Sequence, residues 1–368
     1  MYPLPLDLSK LKVFPLAERR SLTQVEAILV DPDTHPAPLS DATLARVAAC
    51  AKEIRAARER QATVMLIYGA HLLRNGAALI LDRLMADGWL NHLATNGAGT
   101  IHDWEYAWLG RSTESVEQNV RTGSFGTWDE TGRNIHLALL AGGLRHQGYG
   151  GALGQFISED GADFPSSEKL WTEIQSNPED RLNPARMEWI EMQRTFGLPQ
   201  CRLIVEHLWK HASILASAWN HQVPLTVHPG IGYDIIANHP LFNGAVIGRA
   251  ATRDFELFGG SVENLDGGVV LSVGSAIMGP QVFEKSLSCV NNIRLQSGRP
   301  IVQGHSICVV DLQDGGGWNW SQGEPPKTNP AYYLRFCKSY SRMGGTMQYV
   351  QADNLAFMHH LYHLLKKS

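Results

Sequence analysis

Apolar positions along this chain follow two periods. Short, largely apolar runs stand at TVMLIYGA (63–70), LNHLAT (90–95), VPLTV (223–227), GGVVLSVGSA (267–276), SICVVDLQ (306–313) and TMQYVQA (346–352). Runs of that length, bounded by glycine-bearing turns, read as buried strands. Between them the apolar residues recur at helical spacing. Ser40 or Asp41 caps ATLARVAACAKEIRAARERQ (42–61), with Leu44, Val47, Ala48 and Ile54 on one face. Further helices are predicted over 71–88, 201–220, 249–264, 277–293, 331–340 and 353–367. The alternation predicts an α/β fold: a Rossmann-like, mostly parallel sheet of about six or more strands with helices on both faces. Residues 1–40 are proline-rich and read as an extended N-terminal arm; 41–368 read as a single large domain with a helical insertion around 148–200.

Composition adds limits. The chain is 44% hydrophobic and 18% charged, enough to bury a sizeable core, and its net charge of -4 gives no reason to expect nucleic acid. No basic run suggests a membrane surface, and no stretch of eighteen apolar residues suggests a span. Cys50, Cys201, Cys289, Cys308 and Cys337 are odd in number and irregularly spaced, which favours a reducing cytoplasm over a disulfide framework. The N-terminus, with its two early prolines, does not read as a signal peptide.

Candidate chemistry collects at the strand ends, where an open α/β sheet places its ligand crevice. The turn Thr95-Asn96-Gly97-Ala98-Gly99 joins a strand to a helix that Thr100 is expected to open. Small residues there admit a ligand close to the backbone, and the helix N-terminus favours an anion, although the spacing is not GxGxxG. Asp103 with Glu105, Asp234, Asp311 and Asp314 fall at predicted strand tips, where carboxylates suit a cationic or hydroxyl-bearing ligand or simply cap helices. Trp318 and Trp320, on a glycine-rich loop, suit either an apolar pocket wall or a subunit interface. The pairs His207/His211 and His359/His363 have zinc-like spacing but lack the HExxH glutamate, so no metal is expected. Lys338, on the apolar and aromatic segment RFCKSY, is a candidate nucleophile, since desolvation there would lower its pKa and permit an imine.

In this order the pieces resemble the deoxyhypusine synthase family, over roughly residues 60–365. The likeness rests on the TNGAG turn, the VPLTV strand with its acidic turn, the GGVVLSVGS strand, and a lysine followed by YVQADNLAF. It implies a Rossmann-type homotetramer with active sites at subunit interfaces. It also implies NAD as cofactor, spermidine as amine donor, a lysine imine, and a protein acceptor lysine on a translation factor. Carried over by position, Thr95, Asn96, Gly97, Ala98, Gly99, Gly274, Ser275 and Asp353 would contact the cofactor. Lys338 would form the imine, Asp234 would orient the amine, and Asp103, with Asp311 and Asp314, would complete the substrate side beside Trp318.

The departures cluster on the amine side. Ile101 and His102 stand where the family has carboxylates, and His102 joins Lys338 and Asp234 as a catalytic candidate. The expected histidine falls near Gly279, and Tyr332 replaces an acid. A long polycation needs a carboxylate at each end, because an unpaired buried ammonium is costly. The expectation is therefore an NAD-dependent transferase acting on a polyamine or related small amine. The alternatives are a catalytically degenerate binding or scaffold relative and, more remotely, a metal-dependent hydrolase.

Overall fold

Six strands form one sheet in which every neighbouring pair is parallel: β1 (Val64–Tyr68), β2 (His92–Thr95), β3 (Leu225–Val227), β4 (Val269–Val273), β5 (Ser306–Asp311) and β6 (Thr346–Gln351). Their spatial order is β6-β5-β4-β1-β2-β3, the doubly wound order that reverses between β1 and β4. This computed structural model describes residues 2–366.

The helices that flank or cap the sheet are α1 (Asp41–Glu59), α2 (Gly97–Leu109), α3 (Ile214–Asn220), α4 (Gly244–Glu263), α5 (Met278–Gln296), α6 (Arg335–Tyr340) and α7 (Asn354–Lys366), with shorter ones between. Strand residues alternate between two cores. Leu66, Leu93, Leu271, Cys308 and Val350 point to one face, where Val47 and Ile54 of α1 and Phe357 and Leu361 of α7 cover them. Met65, Ile67, Val270, Ile307 and Val309 point to the other, against Phe258 of α4 and Phe283 of α5. Each such fully buried side chain contributes roughly 1.5–3 kcal/mol, so both faces must be covered for the sheet to persist. Ser40 caps α1, accepting from the Thr43 amide at 3.2 Å.

The structure redraws three predicted helices. The segment 71–88 is two helices, Ala70–Arg74 and Ala78–Ala86, parted at Gly76. Gly76 has φ +92°, and a Cβ there would lie 1.8 Å from the Ile28 carbonyl, so the N-terminal segment presses directly on the break. Over 201–220 only α3 is α-helical; Arg202–Ile204 instead pair antiparallel with Gly161–Asp163. The segment 331–340 is a 3-10 turn, Pro330–Tyr333, followed by α6.

Residues 2–40 contain no long regular element but lie tightly on the domain. Thr23 and Gln24 pair with Ser112 and Arg111, Leu16 and Val25 enter the core, and His359 and His363 both donate to the Pro32 carbonyl, at 3.1 and 2.9 Å. His207 packs edge-on against Phe156 and Trp104 in the core, off any helix. His207, His359 and His363 therefore serve packing, while His211 is exposed. Among the described residues no helix is long and apolar enough to cross a membrane.

Candidate functional site

The turn after β2 is built by its own side chains. Thr95 Oγ1 donates to the Tyr68 carbonyl at 3.0 Å, tying the ends of β2 and β1 together. Asn96 accepts from the Gly99 amide at 3.0 Å, so it caps α2 and the helix opens at Gly97, ahead of Thr100. A Cβ on Gly97 would fall 2.1 Å from the Asp234 carboxylate, and one on Gly99 would fall 2.3 Å from Thr95 Oγ1. The anion-favouring end of α2 is thus filled by the protein's own carboxylate. Asp234 also accepts from the Gly230 amide at 2.7 Å and is only 5% exposed; burial raises its carboxyl to about 6.

Ala98, His102 and Glu105 follow one another along one face of α2, at helical spacing, and border a cavity of about 280 Å³ that Asp234 also lines. Arg19 donates to both Glu105 oxygens at 2.7 Å, and Ser112 Oγ donates to Glu105 Oε2 at 2.5 Å. Ser112 Oγ also lies 2.7 Å from His102 Nδ1. The hydroxyl has one proton and gives it to the carboxylate, so it accepts from His102, which must carry its proton on Nδ1. Nε2 is left with its lone pair. Burial lowers the imidazole to about 4, which makes the ring neutral near pH 7.

The remaining charges at the cavity sort into two kinds. Glu114 is supplied with donors: the Trp128 indole at 3.0 Å, the Asn119 amide at 2.5 Å and the Gly126 backbone at 3.3 Å. Arg74 is not supplied. Among the described residues no carboxylate pairs with it, and its Nε is buried without a partner.

A second feature sits at the point where the strand order reverses. β1 and β4 run in register to Tyr68 and Val273, and Gly69 and Gly274 follow. A Cβ on Gly69 would lie 2.2 Å from the Gly274 carbonyl. Gly274 has φ +61°, and Asn354, 6% exposed, lies against it with its Oδ1 buried and unpartnered. An orphaned amide oxygen at a topological switch point fits a ligand that donates hydrogen bonds there, as nucleotide hydroxyls and amides do. Asn354 was not evident from the sequence.

The other predicted site residues are placed as follows. Asp103 turns inward and caps α3, taking the Ser213 hydroxyl and the Ile214 amide at 2.8 Å; full burial raises it to about 7. Ser275 accepts from the Gly279 amide at 3.1 Å and steadies the start of α5, and Asp353 accepts from the Ala356 amide at 2.9 Å at the start of α7. Asp311 and Asp314 accept from Gln313 and Gly316 amides in tight turns, at 3.1 and 2.8 Å. Trp318 donates to the Gly323 carbonyl at 2.9 Å and closes its own loop. Lys338 lies on α6, between β5 and β6, on the far side of the switch point from Asp234. Its Nζ is 2.5 Å from Glu324 Oε1 and 3.8 Å from the Tyr332 ring, so this lysine is ion-paired rather than merely desolvated among apolar groups.

The structure therefore unites Ala98, His102 and Asp234 in one cavity, with Gly274 nearer the centre of the sheet. Arg19, Arg74 and Glu105 also border that cavity, with Ser112 buried behind Glu105; of these only Glu105 was among the strand-tip acids of the sequence reading. One signal was available: His102 and Glu105 are three apart and so share a helix face.

No protein-family model matches the chain, and no curated protein matches it. Among solved structures the chain is similar to unliganded AgrE, with 14% identity and a TM-score of 0.43 over 90% of this chain and 34% of that one. It is similar to the ternary complex of AgrE with ornithine and NAD+ at 14% identity and a TM-score of 0.40, covering 89% and 34%. The "conserved putative LOR/SDH protein" from Methanococcus maripaludis S2 gives 11% identity and a TM-score of 0.41, covering 97% and 76%. The chain thus spans 34% of the length of the AgrE chains.

Proposed function

We propose that this chain is an NAD-dependent enzyme acting on a small amine, in keeping with its deoxyhypusine synthase-like sequence pattern. The observation that carries this reading is the pairing, in one cavity, of a buried carboxylate without a cationic partner, Asp234, and a neutral histidine whose Nε2 is held free. Asp234 binds the ammonium. His102 Nε2 takes the proton from nitrogen and leaves the neutral amine, whose adjacent carbon can then give up hydride. NAD, where bound, supplies the hydride acceptor. Gly69 and Gly274 allow its close approach to the strand tips and Asn354 offers it hydrogen bonds. The turn 95–99 follows β2, the strand beside β1, so the amine cavity and the cofactor crevice are neighbours, about 5 Å per strand apart.

Aminobutyl transfer is the further step that the sequence pattern suggests. It requires Lys338 to leave Glu324 and to meet the amine from another copy of the chain, as in a tetramer with shared sites, because in one copy β4 and β1 stand between them. Amine oxidation needs no such encounter.

The test is direct. Purified protein is titrated with NADH by fluorescence, then incubated with NAD and a panel of diamines, polyamines and amino acids while NADH formation is followed. Formation of NADH with one class, lost in His102→Gln, supports the reading; no NADH binding overturns it. Borohydride treatment followed by mass spectrometry separates the two steps, because only transfer leaves an adduct on Lys338.

A further inference from the structure

The cavity beside α2 contains two charges of opposite sign that do not use each other. Asp234 has one backbone amide as partner and no cation. Arg74 has no anionic partner among the described residues, and its Nε is buried and unsatisfied. Arg19 and Glu105 neutralise each other, and Glu114 accepts from three neutral donors. An unpaired charge withdrawn from water is destabilising, strongly for buried Asp234 and less for half-buried Arg74, so the two facing one small space call for a ligand that answers both.

Their charges set what that ligand is. Asp234 sits over Gly97, the first residue of α2. Arg74 borders the same cavity as Asp234, yet the two form no ion pair. A short aminoalkyl carboxylate can lie between them and make an ion pair at each end. We infer that the cavity takes a small zwitterion, with its ammonium on Asp234 and its carboxylate on Arg74. This assignment sharpens the amine reading above, on which its redox role rests, because it excludes simple polyamines as the preferred occupants. A polyamine brings a second ammonium to the Arg74 end, where like charges repel. The cavity volume of about 280 Å³ admits an amino acid.

Isothermal titration of the full chain with 4-aminobutanoate, butylamine and butanoate tests this without any variant. The zwitterion is expected to bind about tenfold or more tighter than either singly charged analogue, each lost ion pair being about 1.4 kcal/mol. Arg74→Met should erase the gap between 4-aminobutanoate and butylamine, with Arg74→Lys restoring part of it, and Asp234→Asn should erase the gap to butanoate. Equal binding of all three ligands, or a preference that survives Arg74→Met, overturns the inference. NADH fluorescence on the same samples keeps the two claims apart. NADH binding without the zwitterion preference sinks this assignment alone, and the preference without NADH binding sinks the amine-oxidation reading alone.

Discussion

The Arg19 guanidinium holds both oxygens of the Glu105 carboxylate at 2.7 Å, with side chains 2% and 0% exposed. This pair joins the N-terminal segment to the helix that carries the candidate site. Removing one partner leaves a buried charge alone. Arg19→Met should therefore cost about 3–5 kcal/mol in chemical denaturation, and the double variant with Glu105→Gln should cost less than the sum of the two. Limited proteolysis of Arg19→Met should cut within residues 2–40 faster than in the parent chain.

The chain Glu105–Ser112–His102 fixes which imidazole nitrogen carries the proton. If His102 accepts the amine proton, His102→Gln lowers kcat by on the order of 10²–10⁴-fold. Ser112→Ala acts through His102, so it should lower kcat less and shift the acidic limb of the pH profile. A Ser112→Ala profile that overlays the parent would rule out the relay.

Asp234 is held up at about 6 by burial, so it is protonated below that pH and charged above it. Affinity for an ammonium ligand should therefore rise as pH increases from 5 to 7. Titrations across that window should show the rise, and Asp234→Asn should flatten it.

Two other buried acids bear on stability rather than binding. Asp103 and Asp254 are raised to about 7 by burial, from an ordinary value of 3.8. Between those limits the folded chain keeps protons that the unfolded chain releases, so stability contributed by these groups falls as pH rises from about 4 to about 7. Asp254 accepts from the Gly150 and Val227 amides at 2.9 and 2.7 Å and has Oδ1 unpartnered. Asp254→Asn should reduce the pH slope of the denaturation midpoint over that range; an unchanged slope would contradict the assignment.

Lys338 offers a contrast. Its pair with Glu324 is partly exposed, so Lys338→Met should alter stability by about 0–1 kcal/mol. It should also leave amine oxidation by NAD intact. Loss of NADH formation in Lys338→Met would place the lysine in the oxidative step after all.

Gly69→Ala addresses the switch point. The added Cβ meets the Gly274 carbonyl at 2.2 Å, backbone against backbone, so β1 and β4 must part at their ends. A loss of about 1–3 kcal/mol and weaker NADH binding are expected together.

Much of the architecture was legible in the residue order. The six apolar runs became the six strands because parallel strands are buried on both faces and so read as continuous apolar segments. Ser40 as the cap of α1 was equally local, since a hydroxyl reaches an amide three residues on without help from the rest of the chain. The helix predicted over 201–220 failed for a non-local reason. Residues 202–204 pair with 161–163, and Asp103, a hundred residues earlier, accepts from the first amides of α3 beside the local cap that Ser213 provides.

The site divides along the same line. The sequence alone established the glycine turns at the strand tips and the presence of Asp234 after VPLTV, because small residues and strand-end acids are properties of short segments. Only the tertiary structure decided that Asp234 fills the N-terminus of α2, that Asp103 is a cap, and that Arg19 and Ser112 arrive from elsewhere to orient His102. Which charges are paired and which are left open depends on distances of a few ångströms between residues far apart in the chain. That is why Arg74 and Asp234 emerge as unanswered charges only once the chain is folded.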